Sequence, residues 1–270
     1  MLSYQHIYHA GCLADVHKHS ILSVLLSYFI EKDNAITYME THSGRGLYNL
    51  NSPEAQKTKE AKEGIEVVLR ETIFPESHPY IKTIAYIKKR YGQEIYPGSP
   101  ALAKYLLRPK DQIHLIELHP QEIAHLRKNI TGPNVHIHYQ DGYPGALKLS
   151  PPTPRRGIIF IDPSYEIKKE YPNMVAFIEK LQSKWPEAMI ALWYPMLKAN
   201  HHEEMRDRIL KFSFKNTLLN EIQFSNPATS KGLYGSGLLL INCPQEAKDK
   251  INKYEALLGP FTYPKPSLIP

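Results

Sequence analysis

Apolar and polar positions alternate along this chain with two different periods. From Asp15 to Glu31, apolar side chains fall at helical spacing (Val16, Ile21, Val24, Leu25, Tyr28, Phe29), which predicts a helix. Short apolar runs predict strands at Ala35 to Met39, Gln112 to Leu118, Val135 to Gln140 and Gly157 to Asp162. Three more follow at Ala188 to Pro195, Leu218 to Phe224 and Gly237 to Asn242. Helical stretches separate most of them, as at Gln121 to Asn129 and Met174 to Lys184. Strands alternating with helices predict a mostly parallel sheet covered on both faces. The last two strands are joined by "SNPATSKGLYGSG", which has no room for a crossover helix, so they are expected to pair antiparallel. Pro53 to Tyr91 reads as helical with a break near "FPESHPY", where Pro75 and Pro79 stop a helix. There is no internal repeat, and the proline-rich tail "PFTYPKPSLIP" is expected to be irregular.

Composition narrows the class. A chain of 270 residues suits one α/β domain with decorations, or two small domains. Its net charge of +6 favours an anionic partner. Two cysteines, Cys12 and Cys243, imply no disulfide framework and a reducing compartment. No signal peptide is read at the start, and the longest greasy run, Ile21 to Ile30, is too short to span a bilayer and is interrupted by Ser23, Ser27 and Tyr28. The expectation is a soluble cytoplasmic protein with no membrane partner.

In open α/β sheets ligands bind beyond the carboxyl ends of the strands, so the residues just after each strand carry the candidate chemistry. They are His42-Ser43-Gly44, then Glu117, then Asp141-Gly142, then Asp162-Pro163-Ser164-Tyr165. Three of these four ends bear an acid. In "THSGRG", Gly44 and Gly46 permit positive φ and close approach of a ligand. The third glycine of a dinucleotide fingerprint would fall at Asn49, so a phosphate-free nucleoside cofactor fits better than a dinucleotide. Glu117 can accept from both ribose hydroxyls. It lies 73 residues after Gly44 (117 minus 44), a gap explained by a helical insertion. Asp141 can accept from an adenine amine, although Asp-Gly is equally a plain turn signal.

"IDPSY" bears on the reaction itself. An adenine amine is a poor nucleophile because its lone pair is delocalised into the ring. Asp162 can accept one amine hydrogen and the Pro163 carbonyl the other, and both interactions strengthen as positive charge grows on nitrogen. Tyr165 is placed to stack on a base swung out of its helix. The segment "YQHIYHAGCLADVHKH" is dense in histidine (His6, His9, His17, His19), but apart from Asp15 no cysteine or carboxylate stands at a ligand spacing. Hydrogen-bonding rings and Lys18 beside an anionic ligand are expected there, and no metal.

With these residues assembled, the chain resembles the RlmJ family of bacterial ribosomal RNA adenine-N6 methyltransferases along nearly its whole length. The markers are "LSYQHIYHAGCLADVHKH", "THSGRGLY", "YPGSPALA", "ELHP", "DGY", "RRGIIFIDPSYE", "ALWYP" and "GLYGSGLLLIN". The resemblance implies a Rossmann-like class I S-adenosylmethionine-dependent methyltransferase: an α/β fold with a mostly parallel seven-stranded sheet, an antiparallel last strand and a small helical insertion. The methyltransferase domain would comprise residues 1–50 and 97–270, and the insertion residues 51–96. The implied cofactor is S-adenosylmethionine, converted to S-adenosylhomocysteine, and the implied partner is an adenine in 23S ribosomal RNA, bound by a monomer. Carried over by position, Lys18, His19, His42, Ser99, Glu117, Asp141 and Gly142 would line the cofactor site. Asp162 would be the catalytic carboxylate, with Tyr4 beside the target base. Ser164 departs from the family's second proline, and Cys12 and Leu13 from an asparagine and a histidine. These departures put rate and pocket rigidity in question more than reaction class.

The insertion, with eight Lys/Arg and seven Asp/Glu, is nearly neutral, and "KKR" at Lys88 to Arg90 is its one basic knot. RNA contact is expected to be spread over Arg155-Arg156, Lys168-Lys169, Lys88 to Arg90 and the N-terminal motif, with solvated lysine faces the plain alternative. Only about twenty residues separate Asp141 from Asp162, which leaves no space for a DNA-reading domain. Two other readings stay open at this point: a DNA adenine-N6 methyltransferase, and an inactive RNA-binding or ribosome-assembly protein with the same fold.

Overall fold

The computed structural model describes residues 4–230 and 232–263. Most of the C-terminal proline-rich tail, residues 264–270, lies outside the described residues. Helix α1 (Leu13–Ile30) leads into β1 (Thr37–Glu40). Strands β2 (Leu47–Asn49) and β3 (Ile95–Pro97) pair as a small antiparallel sheet. Between them lie α2 (Pro53–Thr58), α3 (Ile65–Arg70) and α4 (Pro79–Tyr91). The chain continues through α5 (Ser99–Leu106), β4 (Gln112–Glu117), α6 (Pro120–Asn129), β5 (Val135–Tyr139) and α7 (Gly142–Leu149). Then come β6 (Gly157–Ile161), α8 (Glu170–Lys184), β7 (Met189–Leu197), α9 (His201–Leu210), β8 (Leu218–Gln223), β9 (Leu233–Ile241) and α10 (Gln245–Glu255).

Seven strands form one sheet in the order β5-β4-β1-β6-β7-β9-β8. β1 pairs in parallel with both β4 and β6, while β9 is antiparallel to its neighbours β7 and β8. This is the mostly parallel seven-stranded sheet with an antiparallel last strand that the sequence pattern predicts. β9 begins four residues earlier than its apolar run, at Leu233 against Gly237, because its ladder with β7 continues to Leu197. The short strands β2 and β3 escape a reading by periodicity, since each has three residues and its partner lies far along the chain.

Helices α2 to α4, the N-terminal segment and the β2–β3 pair share a second apolar cluster built on Ile7, Tyr48, Ile65, Phe74, Tyr80 and Tyr96. A buried hydrogen-bonded string, Tyr80 Oη to Tyr96 Oη (2.8 Å) and Tyr96 Oη to His19 Nδ1 (2.8 Å), ties that cluster to α1. No helix among the described residues is long and apolar enough to cross a membrane.

The sheet order reverses between β4 and β6, with β1 in the middle, so the crevice is expected beyond the carboxyl ends of these strands. β6 is apolar and fully buried along its length, and Asp162 is the first residue past it.

Candidate active site

Two cavities open at the carboxyl ends of the strands and share a wall. The first, of about 320 Å³, is lined among others by Lys18, His19, His42, Gly44, Ser99, Glu117, Asp141, Gly142, Asp162 and Pro163. The second, of about 550 Å³, runs along His9, Cys12, Asp15, Pro195, Leu197 and Phe224. Tyr4, His6, Lys18, Ser164 and Trp193 line both. Ten of the eleven residues singled out from the sequence therefore come together in one cleft.

Tyr165 does not, and this corrects the sequence reading. Its backbone turns through a positive φ of 54°, which directs the ring into the core instead of the cleft. The phenol donates to the Trp193 carbonyl at 3.1 Å, and the ring packs on Tyr171 with centroids 4.5 Å apart. It stabilises the turn after Asp162 and offers no face to a base.

The floor of the first cavity is built from backbone. Gly44, at φ 59°, passes over the end of β4 and donates its N–H to Glu117 Oε2 at 2.7 Å. The His119 N–H donates to Glu117 Oε1 at 2.7 Å. The carboxylate is thus held in one orientation with lone pairs remaining for a ligand. Burial raises the Glu117 pKa and these two N–H groups oppose the rise. On the other side Asp141 caps α7, accepting from the Tyr143 N–H at 3.0 Å. A Cβ on Gly142 would lie 2.2 Å from the Thr41 carbonyl oxygen, so only glycine lets α7 press against the end of β1. His42 accepts or donates at Thr41 Oγ1 (2.8 Å), and burial pushes its imidazole down to about 4, so it is neutral. Ser99 faces the cleft with its hydroxyl given to buried Glu40.

Acid predominates in this cavity. Six carboxylates line it (Glu117, Glu122, Asp141, Asp162, Glu166, Glu170) against one ammonium, that of Lys18. Arg45, beside the cavity, is held by both oxygens of Glu122. Nothing here resembles a pyrophosphate clamp, whereas a cationic nucleoside suits the field. The Ser43 hydroxyl and the Tyr143 hydroxyl are buried without a hydrogen-bond partner, and both residues line the cavity. Such orphaned groups fit a polar ligand bound there. A ribose on Glu117 and an amine near Asp141 are compatible with this donor set.

A line of hydrogen-bonded and ion-paired side chains runs along the shared wall. Tyr4 Oη meets His6 Nδ1 at 3.0 Å, and His6 Nε2 meets Asp15 Oδ2 at 2.9 Å. Asp15 Oδ1 lies 3.0 Å from Lys18 Nζ, and Lys18 Nζ lies 2.8 Å from Asp162 Oδ2. The ammonium also sits 4.6 Å from the centroid of the Trp193 ring. The indole N–H donates to Ser236 Oγ at 2.9 Å, and Ser236 is held in turn by buried His17 (2.8 Å). Burial pushes His17 down to about 4 and His19 to about 3, so both rings are neutral.

The histidine-rich segment is therefore dispersed: His6 goes to Asp15, His9 to Glu60 (2.8 Å), His17 to Ser236 and Asn220, His19 to Tyr96. Sequence reasoning left His6 and Asp15 without a task and did not single out Trp193 or Glu40. Asp15 carried a usable signal, a carboxylate one turn before Lys18 on the same helix. Glu40 carried none beyond its place at the end of β1, and Trp193, in the middle of β7, carried none.

Arg155 and Arg156 stand before β6, at the amino ends of the strands and away from the cleft. Arg155 pairs with Glu187 at 2.9 Å, and Arg156 donates to the Phe29 carbonyl at 2.9 Å and stacks on that ring. Both make contacts within the fold, at the end of the sheet opposite the cleft.

Known proteins share this chain's sequence and shape. The family described as "Ribosomal RNA large subunit methyltransferase D, RlmJ" matches residues 33–261. The ribosomal RNA large subunit methyltransferase J of Escherichia coli K12 is 33% identical over 254 residues, covering 93% of this chain and 91% of its own length. The same-named protein of Haemophilus influenzae is 36% identical over 249 residues, covering 90% and 88%. A Legionella pneumophila protein of known crystal structure superposes with a TM-score of 0.84, at 38% identity over 94% of each chain.

Proposed function

The chain belongs to the RlmJ family of large-subunit ribosomal RNA methyltransferases, and from that premise we propose that it methylates the exocyclic N6 amine of one adenine in 23S ribosomal RNA. It is an S-adenosylmethionine-dependent ribosomal RNA methyltransferase. In our reading residues 1–50 and 97–270 form the methyltransferase domain, residues 51–96 an inserted subdomain, and the enzyme works as a cytoplasmic monomer.

The observation that carries the proposal is the position of Asp162, at the first cavity's border with the second. The acidic first cavity suits the cofactor, with Glu117 accepting from the ribose, Asp141 near the adenine, and His42, Ser99 and Gly142 shaping the walls. S-adenosylmethionine, when bound, supplies an electrophilic methyl group on a sulfonium centre. The second cavity suits an extruded base, bounded by Tyr4, Trp193 and Phe224.

Asp162 and the Pro163 carbonyl then accept the two amine hydrogens, and both contacts strengthen as nitrogen becomes cationic. Lys18 fixes the Asp162 carboxylate by its Oδ2, leaving Oδ1 for the amine. Burial raises Asp162, while the Lys18 ammonium opposes that rise. Tyr165 is turned away into the core, and Tyr4 and Trp193 are the large aromatic side chains at the shared wall that remain for stacking. With the second proline replaced by Ser164, the rigidity of the turn rests on Pro163 and the anchored Tyr165 phenol.

The test is transfer of label from tritiated S-adenosylmethionine to protein-free 23S RNA from cells lacking the enzyme. Uptake recovered as N6-methyladenosine at one position is expected. Label on another atom, or on duplex DNA and not on RNA, overturns the proposal.

A further inference from the structure

A groove of about 380 Å³ lies across the Arg45–Leu47 segment from the cleft, between α4, α5 and the end of α6. Arg45 joins the two: its guanidinium meets Glu122 in the cleft wall, and its carbonyl accepts from Asn129 in the groove at 2.9 Å. The groove is lined by Tyr86, Tyr91, Tyr105, Arg90 and Lys104, with Leu47 and Ile87 as its floor and no carboxylate. Among the described residues four tyrosines are markedly exposed, and three of them meet here, at 44%, 47% and 38% exposure. Tyr86 and Tyr105 lie with ring centroids 4.7 Å apart, and the Arg90 guanidinium stands 5.5 Å from the centroid of Tyr91.

Leaving three phenol rings this exposed costs a domain burial that α4 and α5 could otherwise gain. Lys104 Nζ donates to Asn134 Oδ1 at 3.0 Å, but no carboxylate lines the groove, and aromatic faces beside cations without a carboxylate partner are what unpaired nucleotides bind, stacking the base and neutralising the phosphate. Protein-binding patches also favour tyrosine and arginine but are depleted in lysine, so Lys104 beside Arg90 with no carboxylate in the lining favours a polyanion.

We propose that this groove is a second RNA contact, in which an unpaired base flanking the target stacks on Tyr91 or Tyr86 while Arg90 and Lys104 take the neighbouring phosphates. The inference rests on the RNA substrate class above and adds a docking point outside the cleft. Of the basic knot at Lys88 to Arg90 it takes Arg90, the one member that lines the groove.

The test pairs steady-state methylation of 23S RNA with photo-crosslinking of 4-thiouridine-substituted 23S RNA, using the full chain and its Tyr86→Ala/Arg90→Ala/Tyr91→Ala variant. A rise in KM for RNA of about 10- to 100-fold is expected, with kcat and cofactor affinity unchanged, as is loss of crosslinks to the peptide holding residues 86–91. Tyr91→Phe, which keeps the ring, should behave as the parent. Arg90→Ala alone should lower the salt slope of RNA binding by about one. Unchanged KM with no crosslinks in this peptide, in a parent that methylates RNA, overturns the inference alone. Crosslinks here from a parent that methylates no RNA overturn the proposed reaction and leave the groove standing. A parent that neither methylates nor crosslinks RNA overturns both.

Discussion

Lys18 Nζ stands 2.8 Å from Asp162 Oδ2 and 3.0 Å from Asp15 Oδ1, so one buried ammonium serves two buried carboxylates. The two acids respond differently. Burial alone would raise Asp15, but His6 and Lys18 beside it hold it well below the usual carboxylate range. Asp162 has Lys18 as its main cation, and burial leaves it raised. In our reading Asp15 is the counter-ion that stays ionised and Asp162 the carboxylate left for a ligand.

Replacing Lys18 by Met should therefore do two separable things. The unpaired acids should destabilise the fold by about 3–5 kcal/mol, the usual cost of removing one partner from a buried pair. The pH at which Asp162 ionises should rise, moving the acid limb of the methylation profile upward. Adding Asp15→Asn removes the stranded acid and should recover much of the melting temperature without recovering the rate. Recovery of both in the double variant would show that Lys18 matters only for folding.

Asp162→Ala tests the acceptor itself. Methyl transfer should fall by at least about 100-fold, the scale seen when one preorganised contact to a developing charge is lost. Calorimetry should show cofactor binding retained, because Glu117 and the glycine floor are untouched. A variant that keeps full activity sinks the mechanism, and one that loses cofactor binding moves Asp162 into the cofactor site.

Glu117→Ala should show the opposite split. It removes a charged acceptor held by two backbone N–H groups, and each hydrogen bond to such a group is worth about 1.5–3 kcal/mol. Cofactor affinity should weaken about 10- to 100-fold on that scale, with methyl transfer at saturating cofactor largely preserved. If kcat falls and affinity holds, the ribose assignment is wrong.

These residues differ in how visible they were beforehand. Glu117, Asp141 and Asp162 were legible because the strand-helix alternation fixes the sheet, and the sheet fixes which loop faces the crevice. The direction of a side chain after the strand was not legible. Asp162 and Tyr165 stand three residues apart, yet a positive φ at Tyr165 sends its ring into the core. Long-range pairing was invisible for the same reason. Asp15 and Asp162 share Lys18 across most of the chain, and neither apolar periodicity nor local spacing records that. The β2–β3 pair and the tyrosine groove depend likewise on segments brought together by the fold. Exposed tyrosines read from sequence alone resemble ordinary core aromatics of an amphipathic helix.

Glu40, at the end of β1, is fully buried and accepts from Ser99 Oγ and from Tyr38 Oη, the latter at 3.1 Å. Burial pushes its carboxyl up to about 8, reinforced by the nearby Asp162 charge and opposed by the two hydroxyls and Lys18. An exposed glutamate in the unfolded chain titrates near 4.3, so between that value and about 8 the folded state holds a proton that the unfolded state has released. Stability from this group is thus complete below the lower value and drains away as pH rises through the window. Glu40→Gln keeps an acceptor and cannot ionise. Relative to the parent it should gain steadily from pH 5 to about pH 8 and level off above it, by the order of a few kcal/mol in total, since one pKa unit is about 1.4 kcal/mol. Urea unfolding of both proteins across that range measures the difference, in which the contributions of all other groups cancel. Parallel stability curves would mean that Glu40 is ionised in the folded protein, with Lys18 compensating three carboxylates and not two.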